Sequence, residues 1–304
     1  MKFADLFGKA TSRWIRYSNY EAKQDDSGEW FVTPTAEVAP AVYDPIENAE
    51  QMVADALNIG LRALAPNQDN NRIAAEICVF AEKYGLLGFM TALPTTPTFM
   101  DYDMAYLPKN RHIRKEAMPS KEFAKQFFPF EDKINENPNP NRAYRKDDGS
   151  LMVSLAVRNK PKAIEMAYQR TYAEPMDWLY TQFKDWAILY YATIAHNQEK
   201  DAREAEFYRE VIAAYDGQEP SFHLEIFDKI PVMVWDFHSL MAVIHLVFGL
   251  LVTDDRQPLR SCKYCNRAFI VQHPKAEFCT HGCKNKHNVY KSRGRIRAHL
   301  PPTS

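Results

Sequence analysis

Glycine is scarce, at ten residues in 304, and no Gly-rich phosphate loop occurs. The backbone cradle by which P-loop and dinucleotide-binding folds hold phosphates is therefore absent. The nucleophile elbow GxSxG, the zinc-protease pattern HExxH and the deaminase pairing of HxE with a downstream PCxxC are missing too. There is no clean membrane-length apolar run. The longest, Val232–Val252, is interrupted by Asp236, His238 and His245, which points to a buried helix rather than a span. The first residues, MKFADLFGKATSRWIRYSNYEAK, hold neither an uninterrupted apolar stretch nor a small-residue cleavage site. A cytoplasmic protein without a membrane partner is expected. Cysteine is also rare: of five, only Cys78 lies outside one short C-terminal window.

What the chain does contain is ordinary globular material, with 46% hydrophobic and 25% charged residues, enough for one large domain or two. The net charge of −1 excludes nothing by itself, but its distribution is uneven. From Pro258 to Leu300 there are ten Lys/Arg and one acidic residue, Glu277, giving +9; the remaining 28 Lys/Arg and 38 Asp/Glu give −10. A basic tail on an acidic body points to an anionic partner for the tail.

Helical patterns dominate the body. Asp44-Pro45 reads as a helix start, with the helix running to about Ala65 before Pro66. Asn70 or Asn71 caps a second helix through Ile73, Ile77, Phe80, Ala81, Tyr84 and Leu87, with Cys78 inside it as a small buried hydrophobe. Gly85 and Gly88 mark a helix end or a close backbone approach. Between Thr91 and Gly149, prolines alternate with aromatic islands such as Phe127–Phe130, an ordered excursion that ends in the NENPNPNR turn; a substrate lid is the sharper alternative. Helices resume with Trp178, Phe183, Trp186, Leu189 and Tyr190 as a core stripe, the alternative being a ligand pocket. A charged amphipathic helix covers Glu199–Ala214. Strands are expected at Gly28–Pro34 and at SFHLEIFDKIP. His238 and His245 share one face of the buried helix, near Trp235 and Asp236. They read as core histidines, with a metal or acid–base site as the alternative.

The four clustered cysteines are Cys262, Cys265, Cys279 and Cys283, spaced C-x2-C, thirteen residues, C-x3-C. Two close pairs joined by a short connection present four thiolates tetrahedrally, so one structural Zn2+ is expected rather than free thiols or disulfides. The first pair forms a knuckle and Phe269-Ile270-Val271 a short strand, with Phe278 packed on Phe269. The second pair, four apart, falls in the first turn of a helix, in a treble-clef-like plan; a ribbon is the alternative. His273, His281 and His287 are bystanders, because four cysteines already close the shell. In the helix beyond, Val289, Ile296 and Leu300 form an anchoring seam. Lys284, Lys291 and Arg295 form one basic row, and Lys286, Arg293 and Arg297 flank the seam. Such rows suit phosphate contacts, the alternative being a solvated helix that pairs with the acidic body.

The segment resembles the C-terminal zinc finger of bacterial proteins named for their CGNR motif, proposed transcription regulators with a helical N-terminal domain. The resemblance rests on Cys283, Lys284, Asn285 and Lys286, on Tyr290 and Arg293 beyond them, and on Phe278-Cys279 upstream. Lys284 replaces the motif's glycine and Lys286 its arginine. The resemblance implies zinc and DNA binding, and it covers only the C-terminal segment. The expected whole is a mainly α protein: a helical body with minor β over residues 1–256, sensing a ligand or forming a homodimer, and a small zinc-binding domain over 257–304. The expected function is zinc-dependent binding of nucleic acid, duplex DNA in a regulatory role, and not enzymatic. The rivals are a protein-interaction finger on a helical scaffold and an enzyme with an accessory finger.

Overall fold

A computed structural model describes residues 12–35, 40–94, 104–130, 170–198, 201–217 and 220–298. The NENPNPNR turn lies outside them. The chain opens with strands β1 (Trp14–Arg16), β2 (Tyr20–Gln24), β3 (Trp30–Pro34) and β4 (Ala41–Tyr43). Helices α1 (Ala49–Ala63), α2 (Asn70–Tyr84) and the single turn α3 (Phe89–Ala92) follow. Next come β5 (Met104–Tyr106), β6 (Ala117–Pro119), α4 (Ser120–Lys125) and β7 (Glu174–Pro175). Helices α5 (Met176–Gln198) and α6 (Ala202–Ala213) lead to β8 (Ser221–Phe227), β9 (Ile230–Asp236) and α7 (Leu240–Thr253). The chain closes with β10 (Leu259–Ser261), β11 (Ala268–Ile270) and α8 (His281–Ala298).

The expectation of a mainly α fold is overturned. Among the described residues 46% are helical and 20% are strand, in five small sheets that pair β1 with β4, β2 with β3 and β7, β5 with β6, β8 with β9, and β10 with β11. Every pairing is antiparallel. Most of these strands have two or three residues, too few for a two-residue alternation to show in sequence. The expected buried helix over Val232–Val252 is divided. Its first part is β9, joined to β8 by a two-residue turn in which Asp228 and Lys229 both take positive φ (47° and 68°), the backbone of a tight hairpin turn. The helix starts only at Leu240, where the Ser239 hydroxyl accepts from the Ala242 N–H.

Helix α1 is the centre of the core, packed against α2, α5, α7 and β11. Asp44 caps a 3-10 turn (Pro45–Asn48) that leads into it, and Met52, Val53, Ala56 and Leu57 are fully buried. Gly60 lets α5 approach closely: a Cβ there would lie 1.9 Å from the Phe183 carbonyl oxygen. At the end of α2, Gly85 takes φ 88° and also meets another backbone, since an added Cβ would fall 2.2 Å from the Ile15 oxygen. The aromatic stripe on α5 is core: Phe183, Trp186, Leu189 and Tyr190 are buried, and Trp178, partly covered, packs against Phe89 and Phe127 of the same core. The described part of the Pro-rich excursion is ordered on the body through Phe123, Phe127 and Phe128. A buried carboxylate closes the same region. Glu174 accepts from the N–H groups of Leu87, Gly88 and Phe89 (2.5–2.9 Å) and from the Tyr172 hydroxyl (2.7 Å). No described helix is long and apolar enough to cross a membrane.

Candidate metal centre

The cysteine segment is built on a short hairpin. β10 and β11 pair Leu259 with Ile270 and Ser261 with Ala268, and the turn between them carries the first two cysteines. The Cys262 N–H donates to the Arg267 carbonyl and the Asn266 N–H to the Cys262 carbonyl, both at 2.9 Å. Asn266 sits at φ 57°, a left-handed position that asparagine tolerates, and so folds the chain back around the thiols. The connection to the second pair is tied down from the hairpin. The Arg260 guanidinium donates to the carbonyls of Pro274 and Ala276, Lys263 N–H donates to the Glu277 carbonyl, and its ammonium pairs with the Glu277 carboxylate.

Thr280 then caps α8. Its hydroxyl accepts from the Cys283 N–H at 3.1 Å and its carbonyl from the Lys284 N–H at 3.2 Å. Cys283 therefore lies in the first turn of the helix, whereas Cys279 precedes it. The expectation that both would lie in that turn fails because the threonine between them caps the helix.

All four sulfurs fall within 4.8 Å of one another. Cys265 and Cys283 stand 3.6 Å from Cys279 and 3.8 Å from each other. A tetrahedron with metal–sulfur bonds of about 2.3 Å has sulfur–sulfur edges of about 3.8 Å. The spacing thus matches a common metal ion, and the cluster is a group that can hold one. Cys262 is buried and the other three are partly covered. Burial works against the Cys262 thiolate, but the N–H groups of Cys279, Cys265 and Tyr264 outweigh it and hold the thiol down at about 6. Cys279 is pushed up by burial and by the crowding of Cys283, Cys265 and Cys262; Cys265 is also raised, burial first. Four sulfurs this close repel as thiolates until a cation sits among them.

The hairpin is joined to the body by a residue that sequence reasoning missed. Asn58, buried in α1, donates from Nδ2 to the Ala268 carbonyl and accepts at Oδ1 from the Ala268 N–H, both at 2.9 Å. It thus pairs with β11 as another strand would. Leu259 and Ala268 belong to the same buried cluster as the body, and Ile270 packs against it. The only signal in the sequence was a polar residue on the apolar side of an otherwise clean helix.

Helix α8 leans on the cysteine segment through two ring contacts. Tyr290 stacks on Tyr264 with centroids 6.1 Å apart, and His287 lies 5.1 Å from Phe278. The expected contact of Phe278 with Phe269 is replaced by this one. From His281 to Ser292 every side chain except Cys283 and His287 is exposed, and among the described residues no body helix packs along α8. Val289 is 48% exposed, so the expected seam is not docked at that position, and Leu300 lies outside the described residues. Lys284, Lys286 and Lys291 are exposed and, among the described residues, in no ion pair; Arg293, Arg295 and Arg297 belong to the same helix. His273 and His281 take part in local hydrogen bonds, with the Lys275 N–H and the Asn285 amide.

The histidines of the body are not brought together as a helical face would require. His238 precedes α7 and lies 3.3 Å from Ser221, while His245 is inside α7 between Trp186 and Tyr215. Burial holds His245 down at about 4, which favours its neutral form between the two rings. Asp236 instead bonds His223 at 2.6 Å. No protein-family model, curated protein or solved structure matches the chain.

Proposed function

We propose that the four cysteines hold one structural zinc ion, and that the helix this centre anchors contacts nucleic acid, duplex DNA, in a regulatory role. Four thiolates close a tetrahedral shell and leave no coordination position for a substrate, which suits a structural metal. Ligands that must stay reduced fit the cytoplasm. The observation that carries the nucleic-acid reading is the state of α8. It contains no acidic residue, and among the described residues its exposed lysines are in no ion pair and no part of the body covers it. A helix held this way offers a row of cations to a phosphate backbone. The resemblance to CGNR-type fingers supports the same reading.

One observation favours a protein partner instead. Val289 and Tyr290 are exposed on the same helix, at 48% and 60%, and apolar side chains there suit a docking surface. Salt separates the two readings. Duplex DNA binding is expected to weaken steeply as salt rises, and Lys284→Ala, Lys286→Ala and Lys291→Ala together should reduce the log–log slope by about 2.7, at about 0.9 per phosphate contact. Metal analysis of the purified chain should find one zinc, lost in Cys262→Ser. DNA binding that is absent, or insensitive to salt, would sink the nucleic-acid reading, and iron or no metal in place of zinc would sink the metal assignment.

A further inference from the structure

Helices α1 and α2 run antiparallel, as two ion pairs between them show. Arg62, near the end of α1, reaches Glu76 on α2 at 2.5 Å, and Asp55, earlier on α1, reaches Lys83 near the end of α2 at 2.8 Å. Between these pairs lies a groove of about 340 Å3. Small-molecule sites run from about 300 to 1,000 Å3, so its size is that of a ligand site. Ile59 and Phe80 are buried in its floor, and Ala75 and Val79 are exposed on its α2 rim. Asp55 and Arg62 lie seven positions apart on α1, so the groove is about 10 Å long at about 1.5 Å per residue.

The two ends differ in the hydrogen bonds they have left to make. Asp55 is well satisfied: it accepts from the Lys83 ammonium, the Tyr84 hydroxyl and the Gln51 amide, each at 2.8 Å. At the other end two guanidinium groups share one carboxylate. Arg62 and Arg72 each reach Glu76 through Nε, at 2.5 and 3.4 Å. Among the described residues, the terminal nitrogens of both arginines have no partner. Two arginines against one glutamate leave this end with an excess positive charge. Planar forks with unused donors fit an oxyanion, whereas each carboxylate of the groove already holds a cation.

We infer that this groove binds a small amphipathic carboxylate, its head on Arg62 and Arg72 and its apolar body along Ile59, Val79 and Phe80. The excess positive charge at one end selects the head. An ammonium head would meet two arginines there, and at the other end an Asp55 already held by Lys83. The apolar floor selects the body: inorganic phosphate or acetate would meet the arginines but cover nothing else. The groove is open along one side, so it covers less of its ligand than an enclosed pocket does, and weak, reversible binding follows. The inference concerns the body alone and stands whether or not α8 binds DNA.

Isothermal titration of the full chain with octanoate, whose extended chain matches the groove in length, is the test. One site with a Kd on the order of 1 mM is expected for so small a ligand. Butyrate, four methylenes shorter, should bind about 10-fold more weakly at partial burial of each methylene. Octylamine should not bind at this site. The Arg72 side chain is 71% exposed, so Arg72→Ala should keep the folded circular-dichroism spectrum. It should weaken octanoate at least about 10-fold, the scale of a hydrogen bond to a charged group; should it unfold, Arg72→Gln gives the same readout. Val79→Asp, also at an exposed position, should weaken octanoate as well by setting a carboxylate in its path. Leu224→Lys, exposed on the β8–β9 hairpin, should bind as wild type does, which separates the groove from general adsorption of an apolar chain. Absence of octanoate binding at about 10 mM overturns the inference. So does butyrate or octylamine binding as well as octanoate, or octanoate binding that survives both Arg72→Ala and Val79→Asp or is lost in Leu224→Lys.

Discussion

Replacing Asn58 by alanine removes both hydrogen bonds between α1 and the backbone of Ala268. Each bond is worth about 0.5–1.5 kcal/mol net, but the greater cost comes from the Ala268 N–H and C=O left buried without partners, at about 1–3 kcal/mol each. Ala268 is almost wholly buried, so solvent does not readily replace the lost partners. A loss of about 3 kcal/mol is expected, and at roughly 2 °C per kcal/mol for a chain of this size the melting temperature should fall by about 6 °C. Urea unfolding gives the free energy directly, and limited proteolysis should show the β10–β11 segment opening first. The four cysteines are untouched, so metal content should stay at one ion per chain. Asn58→Asp is the sharper test. Its carboxylate still accepts from the Ala268 N–H but faces the Ala268 carbonyl oxygen with no proton to donate. Burial raises the carboxyl pKa in the folded state, so the neutral form, which can donate, is retained below the ordinary carboxylate value and lost as pH rises through the folded value. Asn58→Asp should therefore be closest to wild type in acid and weakest at neutral pH. An Asn58→Ala cost below about 0.5 kcal/mol, the scale of an ordinary surface substitution, would refute the reasoning, as would an Asn58→Asp penalty that does not change with pH.

Two further outcomes test the packing. Gly60→Ala would ordinarily gain up to about 1 kcal/mol in a helix; here its methyl meets the Phe183 carbonyl at 1.9 Å, so a loss exceeding the usual overpacking cost of about 1–3 kcal/mol is expected in thermal or urea melts. His223 sits between Asp236 (2.6 Å) and Glu225 (3.1 Å), with Arg13 on the far side of Glu225. Its partial burial disfavours the cation, but the two carboxylates outweigh burial and raise it above 6.5. The stability this adds is present below 6.5 and is lost as pH rises through the raised value. Amide protection in the hairpin, taken relative to the intrinsic base-catalysed exchange rate, should therefore fall on the alkaline side of 6.5, and His223→Gln should remove that step.

The helix start at Asp44-Pro45 was legible because a cap and a proline coincide there; before Ile73 the helix was legible from its stripe, but its cap is Asp69, which accepts from the Asn71 and Arg72 N–H groups, and not Asn70 or Asn71. The cysteine cluster was legible because two close pairs of cysteines leave few other ways to use the only clustered thiols in the chain. The strands were mostly illegible. A three-residue strand such as β10 carries one and a half periods of alternation, and the apolar residues of β9 run directly into those of α7, so periodicity alone could not separate them. Ser239 marks the boundary, but a serine within an apolar run is a weak sign without the geometry of its cap. Asn58 and Glu174 were invisible for another reason. Each works through backbone groups distant in sequence, Ala268 and Leu87–Phe89, and no local pattern reports a partner that far away.

The charge asymmetry between tail and body raises the question of what holds the basic helix in place. An electrostatic clasp would require α8 to lie on acidic side chains, yet among the described residues its lysines are in no ion pair, and the one acidic residue of the basic segment, Glu277, is taken by Lys263. The attachment runs instead through Leu259, Ala268 and Ile270 in the core and through the neutral amide of Asn58. Exposed charge interactions are screened at moderate salt, whereas apolar burial and buried neutral hydrogen bonds are not. Raising salt should therefore leave the hairpin docked while it weakens any phosphate contacts of α8. A salt-dependent loss of nucleic-acid binding would then report on the helix itself and not on release of the finger. Proteolysis of β10–β11 in the same salt series checks the distinction, since protection that fell in step with binding would place the salt sensitivity in the attachment.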